Sequence, residues 1–159
     1  MSTRILATVD PARGRVDARS ERGQRIAMDA DPLTGEDPTA SPKEAVLAAL
    51  AGCTAMDVAA ILRKKRQHAA TYEIAVSAES AADHPRVFTT ITAEHRVSGA
   101  VDPEALRRSI ELSSTRYCPV NAMLSKSVTI EHWYRLTDAN GVASEALVSV
   151  VGPAGIRVL

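Results

Sequence analysis

One segment decides the fold: residues 41–67, with the sequence SPKEAVLAALAGCTAMDVAAILRKKRQ. Ser41 is a good N-cap, Pro42 suits the first helical position, and Glu44 completes a capping box three residues after Ser41. The pattern predicts a helix that ends near Gln67, some 26 residues and roughly 39 Å long. Apolar residues cover more than one narrow stripe of this helix, which indicates burial on several sides and a central place in the fold.

Short strands and two further helices are predicted on either side of the long helix. The strand candidates are residues 4–9, 16–20, 24–28, 71–79, 86–97 and 128–136, with one or two more in 147–159. A second helix opens at Asp102 and Pro103 and runs to about Thr115, and a short third helix starts at Cys118 and Pro119. This order predicts an α+β fold with antiparallel sheets around long central helices.

The chain length of 159 residues predicts a single domain, 1–159. Within it, residues 1–40 form an N-terminal β-meander followed by a loop, and residues 137–159 form a C-terminal extension. The strands of the meander carry few apolar residues. We therefore expect them to join a sheet elsewhere in the fold, or in a partner subunit.

Composition excludes several classes of function. The 19 basic and 19 acidic residues balance, and only 3% of residues are aromatic, so we expect no nucleic-acid partner. We find no apolar run that approaches the roughly 20 residues of a membrane span, and no signal peptide, so we expect no membrane partner and a cytoplasmic location. Thiols stay reduced there, which leaves a transient disulfide as the alternative to free cysteines.

Cys118 lies in the segment RYCPV, residues 116–120, immediately before the third helix. A cysteine at a helix N-cap is close to free backbone N–H groups, which stabilise a thiolate and lower its pKa. Arg116 and Lys126 add nearby positive charge. The alternative is a small buried side chain at a helix junction.

Cys53 lies in the middle of the long helix, among small residues that let a ligand or another backbone approach. Asp57 follows at i+4 on the same face, and its carboxylate would raise the pKa of a neighbouring thiol. A reactive Cys53 therefore needs an arginine from another segment. The candidates are Arg19, Arg22, Arg25 and Arg86. The alternative is an inert core cysteine.

Other chemistry has little support in the sequence. The four histidines have no spacing typical of metal ligands, so no metal site is predicted. No glycine-rich phosphate loop, dinucleotide fingerprint or serine nucleophile elbow occurs, so no cofactor is predicted.

The two cysteine segments resemble those of the OsmC/Ohr family, in its OsmC-like branch. The long helix with Cys53, Met56, Asp57 and Val58 is similar to the central helix of the family, and residues 112–120 are similar to its second cysteine segment. The resemblance covers roughly residues 1–136.

The resemblance implies an intertwined homodimer in which two central helices are enclosed by sheets from both chains. It also implies a thiol peroxidase that reduces small organic hydroperoxides in oxidative stress defence and is restored by a dithiol reductant. In that chemistry Cys53 attacks the peroxide and Cys118 resolves the sulfenic acid as a disulfide. Arg19, on an N-terminal strand, is implied as the activating arginine, and Glu44 as the acid that accompanies it.

At one position of the helix start, this sequence departs from the pattern of the active members of the family. They carry an acidic residue directly after the proline of the helix start, where this chain has Lys43, and its Glu44 lies about 100° further around the helix. This leaves a second hypothesis: a dimeric protein of the same fold, without efficient peroxidase activity, that binds a small apolar ligand at the dimer interface.

Overall fold

Eight β-strands and three α-helices form in the part of the chain that the computed structural model describes, residues 2–29 and 39–159. The strands are β1 (Ile5–Asp10), β2 (Arg15–Ser20), β3 (Arg25–Met28), β4 (His68–Ser80), β5 (Phe88–Ala100), β6 (Thr129–Thr137), β7 (Ala143–Gly152) and β8 (Gly155–Val158). The helices are α1 (Pro42–Lys64), α2 (Pro103–Leu112) and α3 (Pro119–Leu124), and a π-turn (Ser113–Tyr117) joins α2 to α3. These elements belong to two compact units, Met1–Val46 and Leu47–Leu159. The single-domain boundary stays a prediction.

The first unit contains the predicted meander. Its strands form an antiparallel sheet in the order β1-β2-β3. Asp17 on β2 and Arg25 on β3 form an ion pair at 2.6 Å, which lowers the pKa of the Asp17 carboxyl. Residues 30–38 of the predicted loop lie outside the described residues.

Helix α1 begins with the predicted capping box. The Ser41 Oγ accepts a hydrogen bond from the Glu44 N–H at 3.2 Å, and the Glu44 carboxylate accepts one from the Ser41 N–H at 2.7 Å. The helix ends slightly earlier than predicted because Arg66 adopts a left-handed φ of 56° and the Gln67 N–H turns back to the Leu62 carbonyl at 3.0 Å.

The burial of α1 within one chain differs from the prediction. One stripe is buried, formed by Leu50, Thr54, Val58 and Leu62, whereas burial on several sides was expected. Met56, on another face, is 74% exposed. The reason is that the chain supplies packing partners to one side of this helix.

The prediction that no segment is long and apolar enough to span a membrane is wrong for α1. Its best 18-residue window has a mean hydropathy of 2.0, because Asp57 is the only charged residue between Glu44 and Arg63. Length and composition alone do not distinguish a membrane span from the core helix of a globular protein.

The second unit is built on a five-stranded sheet with the order β4-β5-β6-β7-β8. The predicted hairpin of β4 and β5 is confirmed, and the tail supplies β7 and β8 to the same sheet. The sheet was predicted to be antiparallel, but β5 and β6 are parallel. The reason is that the chain between them crosses over through α2, the π-turn and α3.

Two apolar clusters form the core of the second unit. Cluster 1 contains Val58, Leu62, Val97, Val101, Leu106, Ile110, Tyr134, Leu136 and Val148. Cluster 2 contains Leu50, Ile91, Cys118, Val128 and Ile130. On three elements that reach both clusters, a fully buried polar residue lies between them: Thr54 on α1, His95 on β5 and His132 on β6. We call these residues, with the buried Ser113, Ser114, Asn121 and Ser149, the polar layer.

Truncation of cluster 1 should destabilise the protein strongly. Leu106 is completely buried, so Leu106→Ala should reduce the free energy of unfolding by about 2–5 kcal/mol through lost burial and a residual cavity. Urea unfolding followed by circular dichroism measures this change. Val142→Ala, at a side chain that is 64% exposed, is the control, and equal losses in both variants would contradict the assignment of the core.

Candidate functional site

The fold brings the two cysteines together. Cys53 is half-buried on α1, and Cys118 is 3% exposed at the start of α3. Their Sγ atoms and a carboxylate oxygen of Asp57 all lie within 4.8 Å of one another. Both cysteines are free thiols. We call Cys53, Asp57 and Cys118 the thiol cluster.

Cys118 is the N-cap of α3, as predicted. Its Sγ accepts a hydrogen bond from the Asn121 N–H at 3.3 Å. The predicted lowering of its pKa is wrong: burial, and then hydrogen bonding and charge interaction with Cys53, raise the pKa of Cys118 to about 12. The N–H groups of Asn121 and Val120 act in the opposite direction but do not outweigh these causes.

Arg116 does not supply the predicted positive charge to Cys118. Its guanidinium lies over the Tyr117 ring, 5.6 Å from the centroid. Among the described residues, no arginine or lysine is a cause of the shift at Cys118.

Asp57 is held by hydroxyl groups of the polar layer. The Ser113 Oγ donates to the Asp57 Oδ2 at 3.1 Å, and the Thr54 and Ser113 hydroxyls are 3.0 Å apart. Because the Ser113 hydroxyl donates its only hydrogen to Asp57, Thr54 is the donor in its contact with Ser113. This chain of hydroxyls links α1 to the π-turn and orients the carboxylate beside both sulfurs.

Asn121 connects the cysteine segment to β6. Its Nδ2 donates to the Ser114 carbonyl at 2.6 Å, and its Oδ1 lies 2.9 Å from the His132 Nε2. Since the Asn121 amide uses its nitrogen as the donor, the hydrogen-bond network assigns the hydrogen of this pair to His132 Nε2. The same residue thus holds Cys118 through its backbone and His132 through its side chain.

Two buried histidines lie side by side in the polar layer. The rings of His95 and His132 are 5.9 Å apart, and the Tyr72 hydroxyl lies 2.7 Å from the His95 Nδ1. Burial lowers the pKa of His132 to about 4 and that of His95 well below its ordinary value. Burial, with a smaller effect of the Asp57 charge, raises the pKa of Tyr72. These side chains are therefore neutral at pH 7.

The structure brings together part of the predicted site. Cys53, Cys118 and Asp57 meet, whereas Arg19 lies exposed on β2 and Glu44 caps α1, both in the first unit. The Ser41 hydrogen bonds lower the pKa of Glu44. The catalytic roles of Arg19 and Glu44 stay predictions.

The sequence reasoning missed the polar layer around the thiol cluster. One signal was available: His132 alternates with Ile130 and Tyr134 on the buried face of β6. A histidine on such a face needs a polar partner. Nothing in the sequence pattern named Asn121 as that partner.

Comparison with known proteins identifies the family. A family model described as OsmC-like protein matches residues 35–132. Protein YhfA of Escherichia coli strain K12 is 38% identical over 121 residues, which span 76% of this chain and 88% of YhfA. This chain belongs to the OsmC family. Its membership confirms the resemblance carried by the two cysteine segments.

Solved structures share the OsmC fold. An OsmC-like protein from Mycoplasma pneumoniae superposes with a TM-score of 0.74 at 18% identity, over 86% of this chain and 97% of that one. The organic hydroperoxide resistance protein OhrB of Bacillus subtilis gives a TM-score of 0.59 at 15% identity, over 83% and 96%. At these identities the likeness concerns the fold alone.

The buried histidines should make stability depend on pH. Unfolded histidine binds a proton near pH 6.5, whereas folded His132 does so near pH 4. Unfolding therefore takes up protons in this window, and the free energy of unfolding falls as pH decreases from 6.5 to 4. His132 alone accounts for about 3 kcal/mol of this loss.

Denaturant unfolding between pH 8 and pH 4 measures the effect. His132→Gln should be less stable at pH 8 but should lose less stability on acidification than the wild-type protein. His68→Gln, at an exposed residue of β4, is the matched control. If the free energy of unfolding of His132→Gln falls with decreasing pH as steeply as that of the wild-type protein, His132 does not titrate in this window.

Proposed function

We propose that this OsmC-family protein reduces organic hydroperoxides through Cys53 and Cys118. The observation that carries the proposal is the meeting of two free thiols, whose sulfur atoms lie within 4.8 Å although the residues are far apart in the chain. Family membership supports the same activity. OhrB of Bacillus subtilis is described as an organic hydroperoxide resistance protein.

The environment of the two thiols supports different roles for them. A pKa of about 12 keeps Cys118 protonated at neutral pH, and a protonated thiol is a poor nucleophile. Cys53 is also the more accessible of the two. We therefore assign Cys53 as the attacking residue and Cys118 as the resolving one.

The reaction balances with these two residues and one peroxide. The Cys53 thiolate attacks one peroxide oxygen, the O–O bond breaks, and the alcohol leaves after taking a proton. Cys53 is then a sulfenic acid, and Cys118 attacks its sulfur, so that a disulfide forms and water leaves. The two thiols lose two electrons, which a dithiol reductant later returns.

The first step prepares the second one electrostatically. The Cys53 sulfur is one cause of the raised pKa of Cys118, both as a hydrogen-bond partner and through its charge. Oxidation of Cys53 to the neutral sulfenic acid removes that charge, while the Asn121 N–H remains in place to stabilise a Cys118 thiolate. Cys118 therefore becomes easier to ionise when its thiolate is needed.

The remaining residues of the proposed site come from the family resemblance. We assign Arg19 to stabilise the anion at Cys53 and Glu44 to hold that arginine. We also propose a cytoplasmic location, where a dithiol reductant can regenerate the pair.

A homodimer would cover the exposed faces of α1. The most apolar 18-residue window of this helix has a mean hydropathy of 2.0, yet only 22% of it is buried, and an exposed apolar helix face favours association. Family membership supports the same assembly.

Two specific observations favour a second function. The Asp57 carboxylate beside both sulfurs opposes a thiolate, and Lys43 stands where active family members have an acid. A dimer that binds a small apolar ligand without efficient peroxidase activity would tolerate both features.

Turnover of cumene hydroperoxide with a dithiol separates the two functions. For the peroxidase, Cys53→Ser should fall to the rate measured without protein. In the absence of the dithiol, Cys118→Ser should react once and should accumulate about one sulfenic acid per chain, because resolution is lost. A dimedone-type probe and intact mass spectrometry detect this product.

The outcome with Cys53→Ser decides the assignment. Wild-type turnover in this variant would contradict the role of Cys53, and absence of turnover in the wild-type protein would favour the second function. Ser77→Ala, at an exposed residue of β4, controls for effects of substitution and purification.

The assembly is testable separately. Light scattering should give twice the chain mass of 16.9 kDa, and Met56→Glu should shift the protein toward the monomer by placing a charge on the exposed face of α1. Val142→Glu, in an exposed turn, should leave the mass unchanged. A monomeric wild-type protein would contradict the dimer.

A further inference from the structure

The thiol cluster combines donor atoms that are typical of a soft divalent metal. Two sulfurs and one carboxylate oxygen lie within 4.8 Å of one another. In a tetrahedral zinc site the metal is about 2.3 Å from sulfur and about 2.0–2.2 Å from oxygen, which places neighbouring sulfurs about 3.8 Å apart. To hold one ion, the sulfur–sulfur separation therefore needs to contract by about 1 Å or less and the sulfur–oxygen separations by about 1.3 Å or less.

We propose that the reduced thiol cluster binds one divalent ion of the zinc class through Cys53, Asp57 and Cys118. Three protein ligands leave the fourth tetrahedral position for a water molecule. This site differs from the prediction that no metal site is present. That prediction considered histidine spacing, and it could not anticipate that Cys118 joins the i and i+4 pair of α1.

The charge of the cluster suits a cation better than an anion. One carboxylate and two ionisable thiols converge, and Cys118 is almost completely buried. Ionising both thiols without a counter-ion would place like charges together in this cluster. A bound dication supplies the opposite charge, stabilises the two thiolates and takes the place of the thiol protons.

Hydrogen bonds already orient the three ligands. Ser113 donates to the Asp57 Oδ2 at 3.1 Å, and Thr54 lies 3.0 Å from Ser113. The Asn121 N–H donates to the Cys118 Sγ at 3.3 Å. Outer groups of this kind fix the direction of metal ligands and strengthen binding.

The donor set selects among metals. Magnesium and calcium prefer six or more oxygen ligands, which this cluster does not offer within the described residues. Thiolate ligands favour zinc and its close relatives. The site is therefore proposed for Zn²⁺, and Co²⁺ is its spectroscopic substitute.

Binding does not depend on peroxidase activity, but the two would exclude each other. A disulfide between Cys53 and Cys118 removes both thiolate ligands, so oxidation should release the ion. This consequence alone rests on the proposed function.

Titration of the full-length reduced protein with Co²⁺ tests the site directly. We expect one Co²⁺ per chain, a sulfur-to-cobalt charge-transfer band in the near ultraviolet, and intense visible bands typical of tetrahedral coordination. Zn²⁺ should then displace Co²⁺ and abolish these bands. The readout needs no peroxide and no turnover, so it remains decisive if the proposed function fails.

Single substitutions test the contribution of each proposed ligand to Co²⁺ binding. Asp57→Asn should weaken Co²⁺ binding at least about tenfold, and Ser113→Ala should weaken it by about the same factor through the lost support of Asp57. Cys118→Ser should reduce the intensity of the charge-transfer band. Glu73→Gln, at an exposed residue of β4, removes the same charge as Asp57→Asn and should bind as the wild-type protein does.

Three results would overturn the proposal. These are absence of binding to the wild-type protein, octahedral Co²⁺ spectra without a charge-transfer band, and equal affinities in wild-type protein and a folded Asp57→Asn variant. Circular dichroism shows whether each variant is folded. The titration of the wild-type protein decides the question even if a variant does not fold.

Discussion

The hydrogen bonds of the polar layer constrain the structure around the cysteines. An unpaired polar group in a buried position costs about 1–3 kcal/mol, so the partners of such groups are strongly specified. Asn121 accepts a hydrogen bond from the His132 Nε2–H with its side-chain oxygen and donates one to the Ser114 carbonyl with its side-chain nitrogen. It can do both only if α3 starts where it does, immediately after its N-cap residue Cys118. The position of the second thiol is therefore linked to the strand beneath it.

The polar layer also separates the two apolar clusters, which both include residues of β5 and β6. On α1, Leu50 belongs to cluster 2 and Val58 to cluster 1, with Thr54 between them. Apolar contacts have little directional preference, whereas a buried hydrogen bond requires one register. The polar layer thus supplies the specificity that the alanine-rich surface of α1 lacks. It also places polar groups where a reactive centre needs them.

Local patterns were sufficient to predict most of the elements. The capping box at Ser41 and Glu44 located the start of α1, and alternation located β4, β5 and β6 because these signals involve neighbouring residues. The parallel pairing of β5 and β6 is not local, since it depends on how the chain returns after α3. Family resemblance identified the cysteine pair, and the i+4 spacing correctly placed Asp57 beside Cys53. The pKa of Cys118 was predicted in the wrong direction because burial, which sequence does not reveal, outweighs the N-cap.

Because of the π-turn, the position of Cys118 depends on the number of residues between α2 and α3. It is closed by a hydrogen bond from the Cys118 N–H to the Ser113 carbonyl at 3.0 Å, one residue wider than the bond of an α-helix. A single deletion within residues 113–117 would convert this turn to ordinary helical winding and rotate everything after it by about 100°. The length of this short segment is therefore constrained in addition to its buried side chains, Ser113 and Ser114. The alignment of the two sulfurs is thus encoded by spacing as much as by chemistry.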